Sequence, residues 1–289
     1  MTQDHRSSAV ALVTGANSGL GEALTAALAA RGVRVLMVVR DAVRGEAARQ
    51  RLLTAQPDAQ LEVLVADLCL QSAIRTLAAE VTERTPKLHF LVNNAGSAFA
   101  QRQLTAEGIE ATLAINHLAP YLLTRLLLEP LCRAESARIV NVGTKINTAL
   151  AFDDLNWERR PYRMMAAYGQ AKLGHLHITR ELARRLGDRG PTVNCVFPGV
   201  FRSNLGRQDG AWNLLWHSID RILGWALPSP AQAAQRVLYA LTAPELEGQS
   251  GYYLGNRRPL PLPAQAADPA ANAQLWEISA TLTKLPVEI

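Results

Sequence analysis

Short apolar runs of strand length alternate with stretches of helical spacing along most of this chain, and that alternation restricts its fold more than any other feature. Ala9–Thr14, Val33–Val39, Leu61–Ala66, Leu88–Val92, Ala137–Val142 and Thr192–Val196 read as six strands. Each run is nearly continuous in apolar residues, as strands of a parallel sheet covered on both faces must be. Gly19–Ala30, Ala42–Ala55 and Ser72–Arg84 carry helical spacing between them. Repeated βαβ units of this kind build one doubly wound parallel sheet flanked by helices. No linker rich in Gly, Ser or Pro interrupts the pattern before residue 200, and no internal repeat is visible, so 1–289 reads as a single α/β domain.

A long helix is expected over Gln103–Leu131, and a different pattern begins after the sixth strand. The segment 203–228 holds Trp212, Leu215, Trp216, Ile219, Ile222 and Leu223, an apolar stripe at helical spacing. A helix near Ala231–Thr242, a seventh strand near Gly251–Leu254, a loop at Pro259–Pro263 and a final helix over Pro269–Thr283 complete the expectation of about seven strands. Residues 256–289 form a C-terminal extension that would cover either the pocket or a helix face.

Composition narrows the function classes. With 289 residues, 48% of them apolar, the chain can bury a core without a disulfide or metal staple. Cys69, Cys132 and Cys195 are far apart and show no CxxC spacing, which excludes a zinc site and points to a reducing compartment. His175 and His177 are two apart on a helix, point to different faces, and imply no metal. The net charge of +5 is almost all arginine, scattered with no basic block longer than two, so nucleic-acid binding is not expected. The start is polar, without the apolar core of a secretory signal, and no run reaches the roughly 18 apolar residues of a membrane span. A soluble, cytoplasmic protein is the expectation.

The first strand runs into Thr14-Gly15-Ala16-Asn17-Ser18-Gly19-Leu20-Gly21 and then a helix. Glycines at such a turn let backbone approach a pyrophosphate, and the helix N-terminus presents N–H groups and a positive dipole end. A glycine-rich motif between a strand and a helix meets the context that a dinucleotide site requires. The second strand ends Val38-Val39-Arg40-Asp41. An acid here would bind the ribose 2′-hydroxyl of NAD, whereas an arginine accommodates the 2′-phosphate of NADP. Arg40 therefore favours NADP, with Asp41 read as the cap of the next helix. Tyr168 and Lys172 are four apart on a predicted helix and share one face.

The spacing TGxxxGxG resembles that of the short-chain dehydrogenase/reductase family, a Rossmann-type fold. The resemblance continues at Asp67-Leu68, Asn93-Asn94-Ala95-Gly96, Tyr168-Gly169-Gln170-Ala171-Lys172 and Pro198-Gly199, in the family's order, with downstream similarity to its retinol-dehydrogenase-like branch. It implies that Gly15, Asn17, Ser18, Gly19, Leu20 and Gly21 bind the cofactor together with Arg40, Asp67, Leu68, Asn94, Ala95, Gly96, Pro198, Gly199 and Ser203. Asp67 would bind the adenine, and Lys172 would hold the nicotinamide ribose. Tyr168 is the implied general acid or base, its pKa lowered by the Lys172 ammonium and by oxidised nicotinamide. Asn116 would hold a water that relays protons to Lys172.

One position departs from the family. Where Ser-Ser is usual, the chain reads Gly143-Thr144, so Thr144 takes the place of the substrate-orienting serine and adds a methyl and a stiffer χ1. Ser203 likewise stands where threonine is common. The Trp-rich segment 203–228 would be an apolar lid, an ordinary packed helix or a peripheral membrane contact. The whole reads as an NADP(H)-dependent ketone/aldehyde reductase or alcohol dehydrogenase for a bulky apolar substrate, paired as a homodimer or homotetramer through the Tyr168 helix. A non-redox enzyme or an NADP-binding regulator on the same fold is the alternative.

Overall fold

The computed structural model describes residues 9–145, 148–201 and 228–289. The strands form one sheet in the spatial order β3-β2-β1-β4-β5-β6-β7-β8. They are β1 (Val10–Thr14), β2 (Arg34–Val39), β3 (Leu61–Val65), β4 (Phe90–Asn93), β5 (Arg138–Val142), β6 (Thr192–Phe197), β7 (Tyr253–Gly255) and β8 (Arg258–Pro259). The first seven pair in parallel, and β8 returns antiparallel on β7. The seven expected strands are present, and the eighth corrects the reading of Pro259–Pro263 as loop alone. Pro259 lacks an N–H and can take part in a sheet only on such an edge.

Helices cover both faces, as the apolar strands require. One face carries α1 (Gly19–Ala29), α2 (Ala42–Ala55) and α8 (Pro230–Thr242), whose Leu24, Leu28, Ala48, Ala234 and Val237 pack on Val13, Val35 and Val140. The other carries α3 (Gln71–Arg84), α5 (Ala119–Leu126) and α7 (Met164–Leu186), packed on Leu12, Leu36, Leu91 and Ile139. The last helices are α9 (Ala264–Ala267) and α10 (Pro269–Thr283), and α10 lies along α7. Every residue of α7 from Gly169 to Thr179 is buried within this one chain. The resemblance implied pairing of subunits through this helix, but that stretch has no free face for a partner.

The expected helix over Gln103–Leu131 is shorter and broken. Gly108, with φ +76°, turns the chain so that Leu104 bridges back to Glu110, and helix starts only at α4 (Ala111–Leu113). The buried Glu110 carboxylate caps that start, accepting from the N–H groups of Thr112 and Leu113 at 2.8 Å each. A π-helical turn, Ala114–Leu118, follows before α5 and α6 (Leu128–Cys132). Pro120 stands in the first turn of α5, where its missing N–H costs little.

Between β1 and β4 the strand order reverses direction. In an open α/β sheet this places a ligand crevice beyond the carboxyl ends of the strands at that point.

Candidate active site

The segments singled out from the sequence converge on that edge of the sheet, because each follows the end of a strand. Gly15 continues β1 with φ +67°, a conformation that favours glycine, and a Cβ there would come within 3.1 Å of Ala95 Cα. Gly21 in α1 is held tighter still, since a Cβ would stand 2.1 Å from the Gly15 carbonyl oxygen. Helix α1 begins with Ser18 extended and no side chain capping it. Its first N–H groups therefore face outward beside Asn17, Ser18, Gly19 and Leu20, the arrangement that suits an anion.

The neighbouring turn after β4 is tied to this loop. Asn94 Nδ2 donates to the Thr14 carbonyl at 2.7 Å, and the N–H groups of Asn94 and Ala95 both donate to Thr14 Oγ1 at 2.9 Å. Thr14 is a structural member of the site that sequence reasoning missed; its place at the head of the glycine motif was the available signal. Asp67 Oδ1 accepts from the Cys69 N–H at 2.9 Å, a local turn, and does not cap α3. Leu68 is buried beside it. Arg40 follows β2 and is exposed, whereas Asp41 caps α2 by accepting from the Arg44 N–H at 3.0 Å. The carboxylate that could rival Arg40 is thus engaged as expected.

On α7, Lys172 is buried and donates from Nζ to the Val142 carbonyl at 2.9 Å. Burial lowers its pKa to about 8. Tyr168, one turn earlier, has no hydrogen bond to Lys172 or Thr144, and burial raises its hydroxyl to about 12. The expected lowering by the Lys172 ammonium is not seen; desolvation of the phenolate dominates. Asn116 sits in the π-helical turn and donates from Nδ2 to the carbonyls of Ser97 (2.7 Å) and Thr112 (2.8 Å). Its Oδ1 is buried without a partner. A Cβ on Gly96 would lie 2.6 Å from that oxygen and 3.4 Å from Lys172 Nζ, so Gly96 lets Asn116 and Lys172 approach one space.

Thr144 follows β5, and its carbonyl accepts from the Tyr253 hydroxyl at 2.7 Å. Gly143 leaves no room for a side chain, because a Cβ would stand 2.7 Å from Cys195 Sγ. Pro198 and Gly199 follow β6, with the Pro198 carbonyl held by Arg236 Nη1 at 2.7 Å. Beneath the site, Asn93 donates to Asn141 Oδ1 (2.8 Å) and Asn141 to Thr179 Oγ1 (2.8 Å), locking β4, β5 and α7 together. Sequence spacing gives no sign of that chain, since its members share no motif. Ser203 and the segment 203–228 lie outside the described residues, save Pro228. Among the described residues no cluster of His, Cys, Asp or Glu could hold a metal ion, and no helix is long and apolar enough to cross a membrane.

Residues 9–214 match the family model for short chain dehydrogenases. The chain belongs to that family. Mouse retinol dehydrogenase 14 is 38% identical over 281 residues, covering 93% of this chain and 84% of that protein. Human retinol dehydrogenase 13 is 37% identical over 279 residues, covering 95% and 84%. Among solved structures, an uncharacterized protein from Mycobacterium paratuberculosis aligns with a TM-score of 0.78 at 30% identity, over 97% of this chain and 95% of that one. A single-substitution variant of actinorhodin polyketide ketoreductase, solved with NADPH, aligns with a TM-score of 0.67 at 25% identity, over 86% and 95%. The chain is therefore a retinol-dehydrogenase-like short-chain dehydrogenase/reductase, an oxidoreductase of alcohol and carbonyl groups served by a nicotinamide cofactor.

Proposed function

We propose that this protein is an NADP(H)-dependent reductase or dehydrogenase of bulky, largely apolar ketones, aldehydes or alcohols, with Tyr168 as its proton-transfer group. The observation that carries the reading is that Tyr168 stands one turn before a buried Lys172 on α7, while Lys172 Nζ and the unpartnered Oδ1 of Asn116 both border the space over Gly96. The residues present fit a dinucleotide: Gly15 and Gly21 pack too closely to admit side chains, and α1 starts uncapped. Gly15, Asn17, Ser18, Gly19, Leu20 and Gly21 would hold the pyrophosphate, Asp67, Leu68, Asn94, Ala95 and Gly96 the adenosine side, and Pro198, Gly199 and Ser203 the nicotinamide end.

When bound, the cofactor supplies or accepts the hydride. Tyr168 keeps its proton at neutral pH, which suits donation to a substrate carbonyl oxygen; the Thr144 hydroxyl orients that oxygen. Lys172 holds the ribose, and Asn116 Oδ1 faces the space through which a replacement proton reaches it. Arg40 selects NADP, because a guanidinium binds a 2′-phosphate with charge-assisted bonds and the adjacent Asp41 is engaged as a cap. The retinol dehydrogenases among the relatives and the NADPH of the actinorhodin ketoreductase structure support the apolar substrate class and the cofactor.

Fluorescence titration with NADPH and NADH, followed by turnover on a panel of bulky ketones and aldehydes, tests this. NADPH is expected to bind at least about 10-fold tighter, and Arg40→Asp to reverse the preference. A parent chain that binds NADH better overturns the cofactor assignment. Thr144 favours a second reading, a non-redox enzyme or an NADP-binding regulator, which predicts binding without turnover on any carbonyl. A cytoplasmic location, a segment 203–228 that serves as an apolar lid, a packed helix or a peripheral membrane contact, and a homodimer or homotetramer complete the proposal.

A further inference from the structure

The π-helical turn Ala114–Leu118 carries two adjacent buried polar residues. Asn116 faces the space it shares with Lys172 over Gly96, and His117 faces the C-terminal helix. Such turns are rare, and where they interrupt longer helices they are frequently at functional sites. Here the turn is gripped from both directions.

His117 Nε2 lies 2.8 Å from Ser279 Oγ on α10, and both side chains are buried. Ser279 has one proton, and its oxygen is also 2.7 Å from the Leu275 carbonyl, which can only accept. Ser279 donates to the Leu275 carbonyl, and its oxygen is shared with His117 Nε2. The other nitrogen, Nδ1, lies against Gly174 of α7, where a Cβ would stand 2.6 Å away. The ring is thus wedged between α7 and α10, against Gly174 on one side and Ser279 on the other. Because His117 follows Asn116 directly, the turn cannot rotate Asn116 Oδ1 away from Lys172 without breaking this lock.

We propose that Ser279, acting through His117, is a positioning residue for Asn116, so that the C-terminal helix is part of the proton-transfer apparatus. This rests on the reading of Asn116 given above.

The test compares Ser279→Ala, His117→Phe and Asn116→Ala with the parent chain. Ser279→Ala removes one oxygen from a helix whose backbone bonds remain, so the variant should fold. Two measurements are made: hydrogen exchange of the 114–118 amides, and kcat per NADPH-binding site on a ketone that the parent reduces. The expected result for Ser279→Ala and His117→Phe is faster exchange confined to 114–118, with exchange in α1 and the Kd for NADPH within about twofold of parent. Their kcat should fall about 10-fold with KM nearly unchanged, the scale of a small misplacement. Ser279→Thr, which keeps the hydroxyl, should restore both. Unchanged exchange at 114–118 in both variants overturns the lock, whatever the activity. A drop in kcat for Asn116→Ala but not for Ser279→Ala or His117→Phe overturns the positioning role alone, while an unaffected Asn116→Ala removes the reading beneath it.

Discussion

The ammonium of Lys172 donates to the carbonyl of Val142 across 2.9 Å, binding the helix that carries Tyr168 to the end of β5. No carboxylate compensates this buried charge among the described residues, and burial lowers the lysine from 10.5 to about 8. The unfolded chain therefore binds more protons than the folded one between pH 8 and 10.5, so stability should rise with pH across that window. The shift corresponds to a cost of about 3 kcal/mol at neutral pH. Lys172→Met removes it but leaves the Val142 carbonyl unpartnered, which returns roughly 1–2 kcal/mol. We expect the variant to be inactive yet about 1–2 kcal/mol more stable at neutral pH, with the alkaline rise abolished. Denaturant melts at neutral pH and near the unfolded lysine pKa check this.

Thr144 is held from behind by Tyr253, whose hydroxyl donates to its carbonyl at 2.7 Å. If the threonine hydroxyl orients the substrate, Thr144→Val should lower kcat/KM by about 100-fold, the loss of a buried polar contact at the reacting centre. Thr144→Ser should retain most of the activity. Tyr253→Phe loosens the segment and should cost less, about 3–10-fold. Steady-state kinetics on one ketone separates the three.

His117, His175 and His177 are buried side chains on or against α7. Burial lowers His117 to about 3, His177 to about 4, and His175 well below the usual imidazole range. On unfolding, each regains a proton below about pH 6.5, so stability is present above that value and falls as pH drops toward 4. With three groups the slope reaches up to about 4 kcal/mol per pH unit near pH 5. Acid unfolding should therefore be steep and fall between about pH 4 and 5. His175→Leu should move the midpoint to lower pH, as followed by circular dichroism.

Much of the fold is legible in the sequence. Unbroken apolar runs mark the strands to within two residues, because only a sheet covered on both sides can accommodate them. The glycine motif, Asp41 as a cap, and the α7 pair follow from local spacing. What the sequence hides is long-range or locally contradictory. Helical periodicity in Gln103–Leu131 conceals the turn at Gly108, where one positive φ and the Glu110 cap outweigh a stretch of plausible helix. A strand containing Pro259 is intelligible only once its place on the sheet edge is known. His117 and Ser279 stand 162 residues apart, and no motif links them. The spacing shows the ammonium one turn from Tyr168 but not the burial that raises its hydroxyl to about 12.

The measurement that bears most directly on the central claim is single-turnover reduction of a bulky ketone by Tyr168→Phe, alongside its NADPH affinity. The variant should bind NADPH within about threefold of the parent and lose turnover by roughly 10³-fold or more, on the order of what a positioned proton donor contributes. Tyr168→Phe turning over at the parent's rate with NADPH bound would contradict the account, and Tyr168 would then have no part in proton transfer.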